Sequence, residues 1–188
     1  TITINGLTYN SDGTFSYYGT NGTGLSLPGT NFNLNAQTIE CWCHASTFVQ
    51  NGFMFEKTTN GLVNTQYSFF FSGAATHVYY RTQGISPTDL TLTTSNSGVV
   101  NNQWNHMVAT FDGFTTKRIY VNGVQKALGT VTGTITSNNT GAAYIGTYGS
   151  FTGYPFNGQI GVTKIYNRGL TAAEVQQNFQ ALRGRYGI

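Results

Sequence analysis

Alternating apolar and polar residues define the clearest element of the chain, between residues 103 and 123. Its first half places three apolar side chains on one face at the period of two that a pleated strand imposes, namely Met107, Ala109 and Phe111. The Asp112-Gly113 pair then favours a turn, and residues 118–121 resume the alternation. The segment is predicted to be a β-hairpin, with a further turn at Asn122-Gly123.

The same alternation recurs in shorter runs along most of the chain. It predicts further strands at residues 1–4, 24–27, 38–45, 53–57, 67–72, 78–82, 90–93, 130–135, 143–146 and 159–166. In the run 67–72 the residues Tyr67, Phe69 and Phe71 share one face, which is expected to build a core layer, while Phe70 points the other way. Turns are predicted at six Asn-Gly dipeptides, which begin at Asn5, Asn21, Asn51, Asn60, Asn122 and Asn157.

Helical periodicity appears only near the end of the chain. Thr171 and Glu174 have the spacing of a capping box, and an apolar stripe follows at i, i+4 and i+7 with Val175, Phe179 and Leu182. A helix that ends near Gly184 and lies on a β-structure is therefore expected. The predicted fold class is all-β and antiparallel, with one short C-terminal helix.

Residues 38–45 predict a strand with two occupied faces. Ile39, Cys41 and Cys43 alternate with Glu40, Trp42 and His44, and the period does not decide which layer covers Trp42. Strand geometry puts the two cysteine Cα atoms about 7 Å apart, beyond comfortable disulfide reach. Both cysteines are expected to be small buried apolar residues, because a metal site would need further soft ligands nearby.

Several short motifs follow one another in a characteristic order: WNHMVATFDG at 104–113, IYVNG at 119–123, YIG at 144–146, FNG at 156–158 and IYNRGLTAAE at 165–174. This succession resembles the laminin-G-like, or concanavalin A-like, lectin domains, a superfamily that includes the pentraxins. The ending is similar to that of laminin-G-like domains in phage structural proteins. The resemblance covers nearly the whole chain and implies a two-sheet jelly-roll sandwich as a single domain over residues 1–188. It is specific for the fold and weak for the activity, because this sandwich serves sugar binding, adhesion and virion architecture alike.

Composition narrows the class of partner. Only 8% of the residues are charged and the net charge is +3, which offers no dense basic patch for nucleic acid. No apolar run is long enough to cross a membrane, so membrane insertion is not expected. Abundant Thr, Asn, Gly and Ser favour an extracellular or virion-surface location. Because the sequence begins at Thr1 without a signal-like segment, we expect a mature or trimmed piece of a longer protein.

Catalysis is not expected. Glycoside hydrolysis needs two carboxylates beside one bond, and the only pair that the sequence could bring together is Glu40 and Glu56 on neighbouring strands. Partnership of either glutamate with Lys57 or with a backbone amide is the simpler expectation. His106 is assigned a structural role, as a strand residue that hydrogen-bonds to a neighbouring strand or loop.

No metal and no cofactor is predicted. The resemblance implies calcium in many related domains, bound through loop carboxylates and carbonyls. Where relatives often read G-x-I-D-D, this chain has Gly161 and Val162 in place of the two acids. Asp12 with backbone carbonyls would make only a weak calcium site.

Aromatic residues supply the candidate site. The loop 148–156 combines glycines with exposed-looking rings, a composition typical of recognition loops. The predicted ligand-binding residues are Trp42, Tyr79, Arg81, Tyr148, Phe151 and Tyr154. They predict a non-catalytic, surface-displayed adhesion domain that binds a glycan, since rings cover sugar faces and polar side chains replace hydroxyl hydration. The alternative is a structural virion domain in which the same rings contact a cell-surface or virion protein or form a homo-oligomer.

Overall fold

The alternating residues form strands throughout the described part of the chain, which in this computed structural model comprises residues 1–47, 51–58, 65–72, 77–82, 91–132, 135, 141–149, 151 and 153–188. The strands are β1 (Thr3–Asn5), β2 (Thr8–Tyr9), β3 (Phe15–Tyr18), β4 (Gly24–Leu27), β5 (Gln37–Ala45), β6 (Phe53–Thr58), β7 (Thr65–Phe71), β8 (Val78–Thr82), β9 (Leu92–Thr93), β10 (Trp104–Phe111), β11 (Thr116–Val121), β12 (Val124–Thr130), β13 (Ala143–Ile145) and β14 (Asn157–Tyr166). A 3₁₀ turn at Gly29–Phe32 precedes β5, and the helix α1 spans Ala172–Leu182.

The strands form two antiparallel sheets of seven. The first sheet has the order β1-β4-β13-β6-β7-β8-β9, and the second has the order β12-β11-β10-β5-β14-β3-β2. The predicted jelly-roll sandwich is confirmed. The predicted hairpin is β10 and β11, in which Met107 pairs with Val121 and Phe111 with Lys117.

The core lies between the two sheets. It receives the inward residues of both sheets, including the predicted layer of Tyr67, Phe69 and Phe71 on β7. Cys41 and Cys43 are free, buried thiols, as predicted, and their sulfur atoms lie 3.5 and 3.9 Å from the Met54 sulfur. They therefore act as small apolar residues that pack against a polarisable thioether.

The helix covers part of the outer face of the second sheet, the face that points away from the core. Its predicted capping box is present, with the Thr171 hydroxyl accepting from Glu174 N–H and the Glu174 carboxylate accepting from Thr171 N–H. Val175 and Phe179 are its buried residues. No helix in the described residues has the length and apolar character that crossing a membrane requires.

One local prediction agrees only in part, and another was wrong. The strand expected at 130–135 overlaps β12 at Thr130; beyond it Val131 N–H donates to the Thr115 carbonyl (2.8 Å) and Thr132 forms an isolated bridge, while residues 133 and 134 lie outside the described residues. Most of β12 was not predicted, because it is an exposed edge strand without a buried face. Asn157-Gly158 is not a turn but the start of β14, where a Cβ on Gly158 would lie 2.0 Å from the His44 carbonyl oxygen. The predicted turn at Asn60 and Leu90 of the predicted strand 90–93 lie outside the described residues.

Candidate functional site

A row of aromatic side chains crosses the outer face of the first sheet. Phe53 on β6 pairs with Phe70 on β7, and Phe70 pairs with Tyr79 on β8. The Phe53 and Phe70 ring centroids are 4.5 Å apart with planes inclined by 6°, and those of Phe70 and Tyr79 are 5.3 Å apart at 13°. Tyr154 continues the stack, with its centroid 5.9 Å from that of Phe53. We call these four residues, Tyr154, Phe53, Phe70 and Tyr79, the aromatic ladder.

The ladder rings stand upright on the sheet. Their centroid separations are close to the spacing of about 4.8 Å between neighbouring strands, and their planes are nearly parallel, so each ring faces its neighbour across the strands. Both faces of Phe70 are therefore covered, one by Phe53 and one by Tyr79. Of the two inner residues, Phe70 is half-buried and presents a ring edge, whereas Phe53 is buried against Tyr148 and Tyr154. Open ring faces are therefore confined to the ends of the ladder.

The loop 148–154 carries the end of the ladder. Tyr148 and Gly153 form an isolated β-bridge, and Tyr154 accepts a hydrogen bond from Phe53 N–H through its backbone carbonyl (3.3 Å). The Tyr148 ring stands edge-on to Phe53 (5.1 Å) and to Tyr154 (5.6 Å). Tyr154 is 46% exposed, so it offers the most open ring of this group.

Two bulky residues of this loop have left-handed backbones. Phe151 has φ 66° and Tyr154 has φ 49°, which is unfavourable for residues with a large side chain. The Phe151 carbonyl accepts from Gly22 N–H (2.8 Å), and its ring lies 5.7 Å from that of Tyr144 on β13. Such strain persists where surrounding contacts enforce it and is common in ligand-contacting segments.

A polar row lies next to the ladder on the same face. Glu56 pairs with Ser68, and Ser68 pairs with Arg81, which is half-buried. Glu56 is buried and accepts a hydrogen bond from Gly149 N–H (2.7 Å), so the predicted backbone-amide partner is confirmed for this glutamate. The Ser68 hydroxyl is buried and has no hydrogen-bond partner among the described residues. Charged and polar groups thus border the aromatic surface at its edge.

Lys57 does not take part in this row. Its amine donates to the carbonyls of Thr58 (2.7 Å) and Gly141 (2.6 Å), and burial lowers the pKa of Lys57 to about 8.

Trp42 lies on the opposite side of the sandwich from the other five predicted residues. It points to the outer face of the second sheet, where α1 and the residues after it bury it completely. Its ring stacks on Tyr186 (4.3 Å) and on Phe179 (6.0 Å). The expectation that Trp42 contacts a surface ligand is corrected on this ground, because its faces are occupied by the protein itself.

Glu40 and Glu56 do not form a dyad. Glu40 lies on the outer face of the second sheet, beneath α1, so the whole sandwich separates it from Glu56. Its carboxylate contacts Asn178 Nδ2 (2.7 Å), Lys164 Nζ (3.2 Å), Tyr166 OH (3.2 Å) and His106 Nε2 (3.3 Å). Burial raises the pKa of Glu40, but the contacts from His106 and Lys164 outweigh it and hold the pKa below its usual value.

His106 belongs to this structural cluster. It is fully buried, its backbone N–H donates to Asn122 Oδ1 (2.8 Å), and its ring lies 4.9 Å from that of Trp42. The predicted structural role of His106 agrees with these contacts.

Asp12, the remaining candidate for a calcium site, is held in a turn. Its Oδ1 atom accepts from Thr14 N–H (3.0 Å) and from the Thr14 hydroxyl (2.7 Å), and these bonds lower the pKa of Asp12. Arg185 donates to the Asp12 carbonyl (2.7 Å). Among the residues that the structure describes, no three His, Cys, Asp or Glu side chains gather as a metal-binding group.

The sequence interpretation missed Phe53 and Phe70. Both were assigned to strands but not to the site, although Phe70 alternates with three core aromatics and so had to point outward. An outward phenylalanine on a central strand was the available signal.

Comparison with known proteins gives the same fold. Residues 19–176 match the family Laminin_G_3, described as the concanavalin A-like lectin/glucanases superfamily. No curated protein sequence matches the chain.

Solved structures of three different kinds have this architecture. The receptor-binding domain of botulinum neurotoxin type G is 15% identical with a TM-score of 0.70, over 96% of this chain and 46% of that one, so the chain spans about half of the toxin domain. Domain 4 of AbnA, a GH43 extracellular arabinanase from Geobacillus stearothermophilus solved in complex with arabinotriose, is 18% identical with a TM-score of 0.62 over 94% and 86%. The native heptameric SAP-like pentraxin from Limulus polyphemus is 16% identical with a TM-score of 0.64 over 87% and 79%.

These identities are too low to indicate more than a common fold. The family match, in contrast, covers most of the chain and agrees with the two-sheet topology. The chain belongs to the concanavalin A-like lectin/glucanases superfamily.

Proposed function

We propose that this chain is a non-catalytic recognition domain that binds a neutral glycan on the outer face of its first sheet. The observation that carries the proposal is that five predicted residues lie on one face of the first sheet. Tyr79 and Tyr154 belong to the aromatic ladder and Tyr148 contacts it. Arg81 lies in the adjoining polar row. Phe151 packs against Tyr144, which pairs with Glu56 of that row. Aromatic surface covers the apolar face of a sugar ring, while hydroxyl and guanidinium groups replace the water that the sugar loses.

Tyr154 is the proposed stacking platform. A sugar ring cannot stack on Phe70, because both faces of that ring are occupied. Tyr154 ends the ladder and is 46% exposed, so it can offer a ring face. Arg81, in the adjoining polar row, is the proposed donor to sugar hydroxyls.

The absence of catalysis in this proposal rests on geometry. Glycosidases place two carboxyl groups about 5 to 9.5 Å apart across the scissile bond. Glu40 and Glu56 lie on opposite outer faces, and each is engaged by its own neighbours.

Saccharide titration of a single tyrosine variant tests the proposal. Arabinotriose is a suitable first probe because a domain of the same fold was solved with it, and cellotriose and maltotriose extend the range. Calorimetry at about 10 mM saccharide detects sites with a Kd near 1 mM. Tyr154→Ala is expected to weaken binding at least tenfold, while Tyr9→Ala, which removes a 67% exposed tyrosine far from the ladder, leaves it unchanged. Equal affinity of both variants, or no binding by the wild type to any of these saccharides, would contradict the proposal.

Two features support an extracellular or virion-surface location for this binding. Only 8% of the residues are charged, and the C-terminal motif at 165–174 is similar to that of phage structural domains. Adhesion by a surface-displayed domain is the function that accounts for both this location and a glycan site.

A protein interface is the second candidate function, and the upright ladder is the observation that favours it. Edge-on rings form an apolar ridge, and such a ridge packs against a complementary protein surface as well as against a sugar. In that case the partner is a cell-surface or virion protein, or a second copy of this chain. Sedimentation velocity distinguishes the homo-oligomer, because self-association through the ladder would be concentration-dependent and would disappear in Tyr154→Ala.

A further inference from the structure

A second row of side chains crosses the outer face of the second sheet, beyond the end of α1. Trp104 on β10 pairs with His44 on β5, and His44 pairs with Gln159 on β14. The preceding row on this face, His106 and Trp42, is buried beneath the helix. His44, Trp104 and Gln159 are only half-buried, so the helix leaves this part of the sheet open.

Two cavities follow this row and meet at His44 and Gln159. The larger, about 540 Å³, also contacts Gln103, Trp104 and Tyr186. The smaller, about 210 Å³, extends toward Tyr18 and Asn157. Together they form a groove across β10, β5, β14 and β3, which we call the Trp104 groove. Its size falls in the range of small-molecule sites.

The walls of the groove are held in place by packing. Trp104 lies against Tyr186 with centroids 4.5 Å apart, and the His44 ring meets Trp104 edge-on at 5.6 Å. Tyr186 is fixed from behind, because it stacks on Trp42 at 4.3 Å and its hydroxyl accepts from Val162 N–H at 3.0 Å. A site with preorganised walls loses little side-chain entropy when a ligand binds.

The side chains of the lining are polar and aromatic, and none of those described at either cavity is an Asp, Glu, Lys or Arg. Ile188 also borders the larger cavity, and its carbonyl oxygen accepts from Arg183 Nε (2.8 Å). The polar groups are mainly amides, which both donate and accept hydrogen bonds, supplied by Asn102, Gln103, Asn157 and Gln159. Rings from Trp104 and Tyr18 add apolar surface. This combination fits a ligand with many hydroxyl groups, apolar ring faces and no charge.

We propose that the Trp104 groove is a second binding site, specific for neutral saccharides, on the opposite face of the sandwich from the aromatic ladder. The amides bond the sugar hydroxyls and Trp104 covers a ring face. The inference goes beyond the proposed function, because it uses none of the ladder residues and would give the domain two sites.

The two tryptophans of the chain make a direct experiment possible. Trp104 lines the groove, Trp42 is buried behind Tyr186, and the aromatic ladder contains no tryptophan. In protein labelled with 5-fluorotryptophan, titration with arabinotriose, cellotriose or maltotriose to about 10 mM is expected to shift the ¹⁹F signal of Trp104. A shift confined to Trp42, or no shift of Trp104 with any of these probes, would overturn the proposal.

Matched glutamine variants separate a site from general surface contact. Gln159→Leu in the groove is expected to reduce the saccharide-induced change in the ¹⁹F chemical shift of Trp104 at least fivefold. Gln177→Leu, on the exposed side of α1, is expected to leave this change unaltered. An undiminished shift in Gln159→Leu would contradict the proposal. Unfolding temperatures verify that both variants remain folded.

The outcome is independent of the first site. Tyr154→Ala removes the proposed stacking ring of the ladder and is expected to leave the Trp104 shift unaltered. Calorimetry records both sites, so the effect of Tyr154→Ala on the ladder is measured in protein that also carries Gln159→Leu. If the ladder proves not to bind saccharides, Trp104 still shifts, and if the Trp104 groove fails, the ladder still gives a calorimetric signal that Tyr154→Ala removes.

Discussion

The hydroxyl group of Tyr186 fills the space into which a side chain on Gly161 would project. A Cβ atom at Gly161 would lie 2.4 Å from the Tyr186 hydroxyl oxygen and 3.0 Å from Cζ. The same hydroxyl accepts the N–H of Val162, the next residue of β14. At one of the two positions where relatives often carry acids, this chain therefore has a glycine that accommodates the segment following α1.

Gly161→Ala is expected to destabilise the protein by about 1 to 3 kcal/mol, the usual cost of forcing extra volume into a packed site. Tyr186 cannot move away freely, because its ring is held between Trp42 and Trp104. Denaturant unfolding measures the change. Gly184→Ala is the matched control, since a Cβ there meets no atom within 4 Å. Similar stabilities for the two variants would refute the close contact.

Glu40→Gln is expected to loosen the helix from the sheet. The buried carboxylate bonds Asn178 of α1 and lies beside His106 and Lys164, so the neutral amide loses about 1 to 3 kcal/mol of charge-assisted bonding. Denaturant unfolding monitored by tryptophan fluorescence checks this, with Gln177→Ala on the exposed side of α1 as the control.

The Glu40 carboxylate also predicts how the free energy of unfolding changes at acid pH. Because the folded-state pKa of Glu40 is below its usual value, its stabilisation is complete above that usual value of 4.5 and is lost as the pH falls through the folded pKa. The wild type should therefore lose more stability than Glu40→Gln between pH 6 and pH 3. Parallel acid profiles of the two proteins would contradict the assignment.

Lys117 predicts that the free energy of unfolding also changes between neutral and alkaline pH. The group responsible is a buried amine and not a carboxylate. Its amine is buried between the sheets, donates to Tyr80 O and Thr82 Oγ1 (both 3.0 Å), and burial lowers its pKa to about 7. Between this pKa and 10.5 the unfolded chain binds more protons, so the free energy of unfolding rises with pH by up to about 1.4 kcal/mol per unit.

Urea unfolding between pH 7 and pH 9 measures this rise. Lys117→Met should reduce the slope and leave a smaller one from Lys57, whose pKa is about 8. An unchanged slope in the variant would show that Lys117 does not titrate in this range.

Strand periodicity predicts most of the fold because most strands have one face in the core. The run 38–45 is β5 within one residue, since Ile39, Cys41 and Cys43 all point into the core. Strand β12 could not be predicted in this way, because an exposed edge strand needs no apolar face. Its Val124 and Leu128 side chains are 57% and 58% exposed.

The site could be predicted only in part, for a different reason. Tyr79 and Arg81 share a face because they are two residues apart on a strand, which the sequence shows directly. That the loop 148–154 reaches the same face depends on β13 pairing with β6, a contact between distant segments. Trp42 was misjudged for the same reason, because the residues that cover it, Phe179 and Tyr186, come from the far end of the chain.

The aromatic ladder is expected to stabilise the first sheet even without a ligand. Phe70→Ala removes the ring between Phe53 and Tyr79 and with it two stacked pairs, each contributing about 0.5 to 1.5 kcal/mol in addition to the buried area. A loss of about 1 to 3 kcal/mol in denaturant unfolding is the expected result. Phe114→Ala, at a 70% exposed ring in the turn between β10 and β11, should change stability by less than about 0.5 kcal/mol. If Phe70→Ala lowered the free energy of unfolding as little as Phe114→Ala, the stacked rings would be independent surface side chains. A ligand would then have to order these rings on binding, which would lower its affinity.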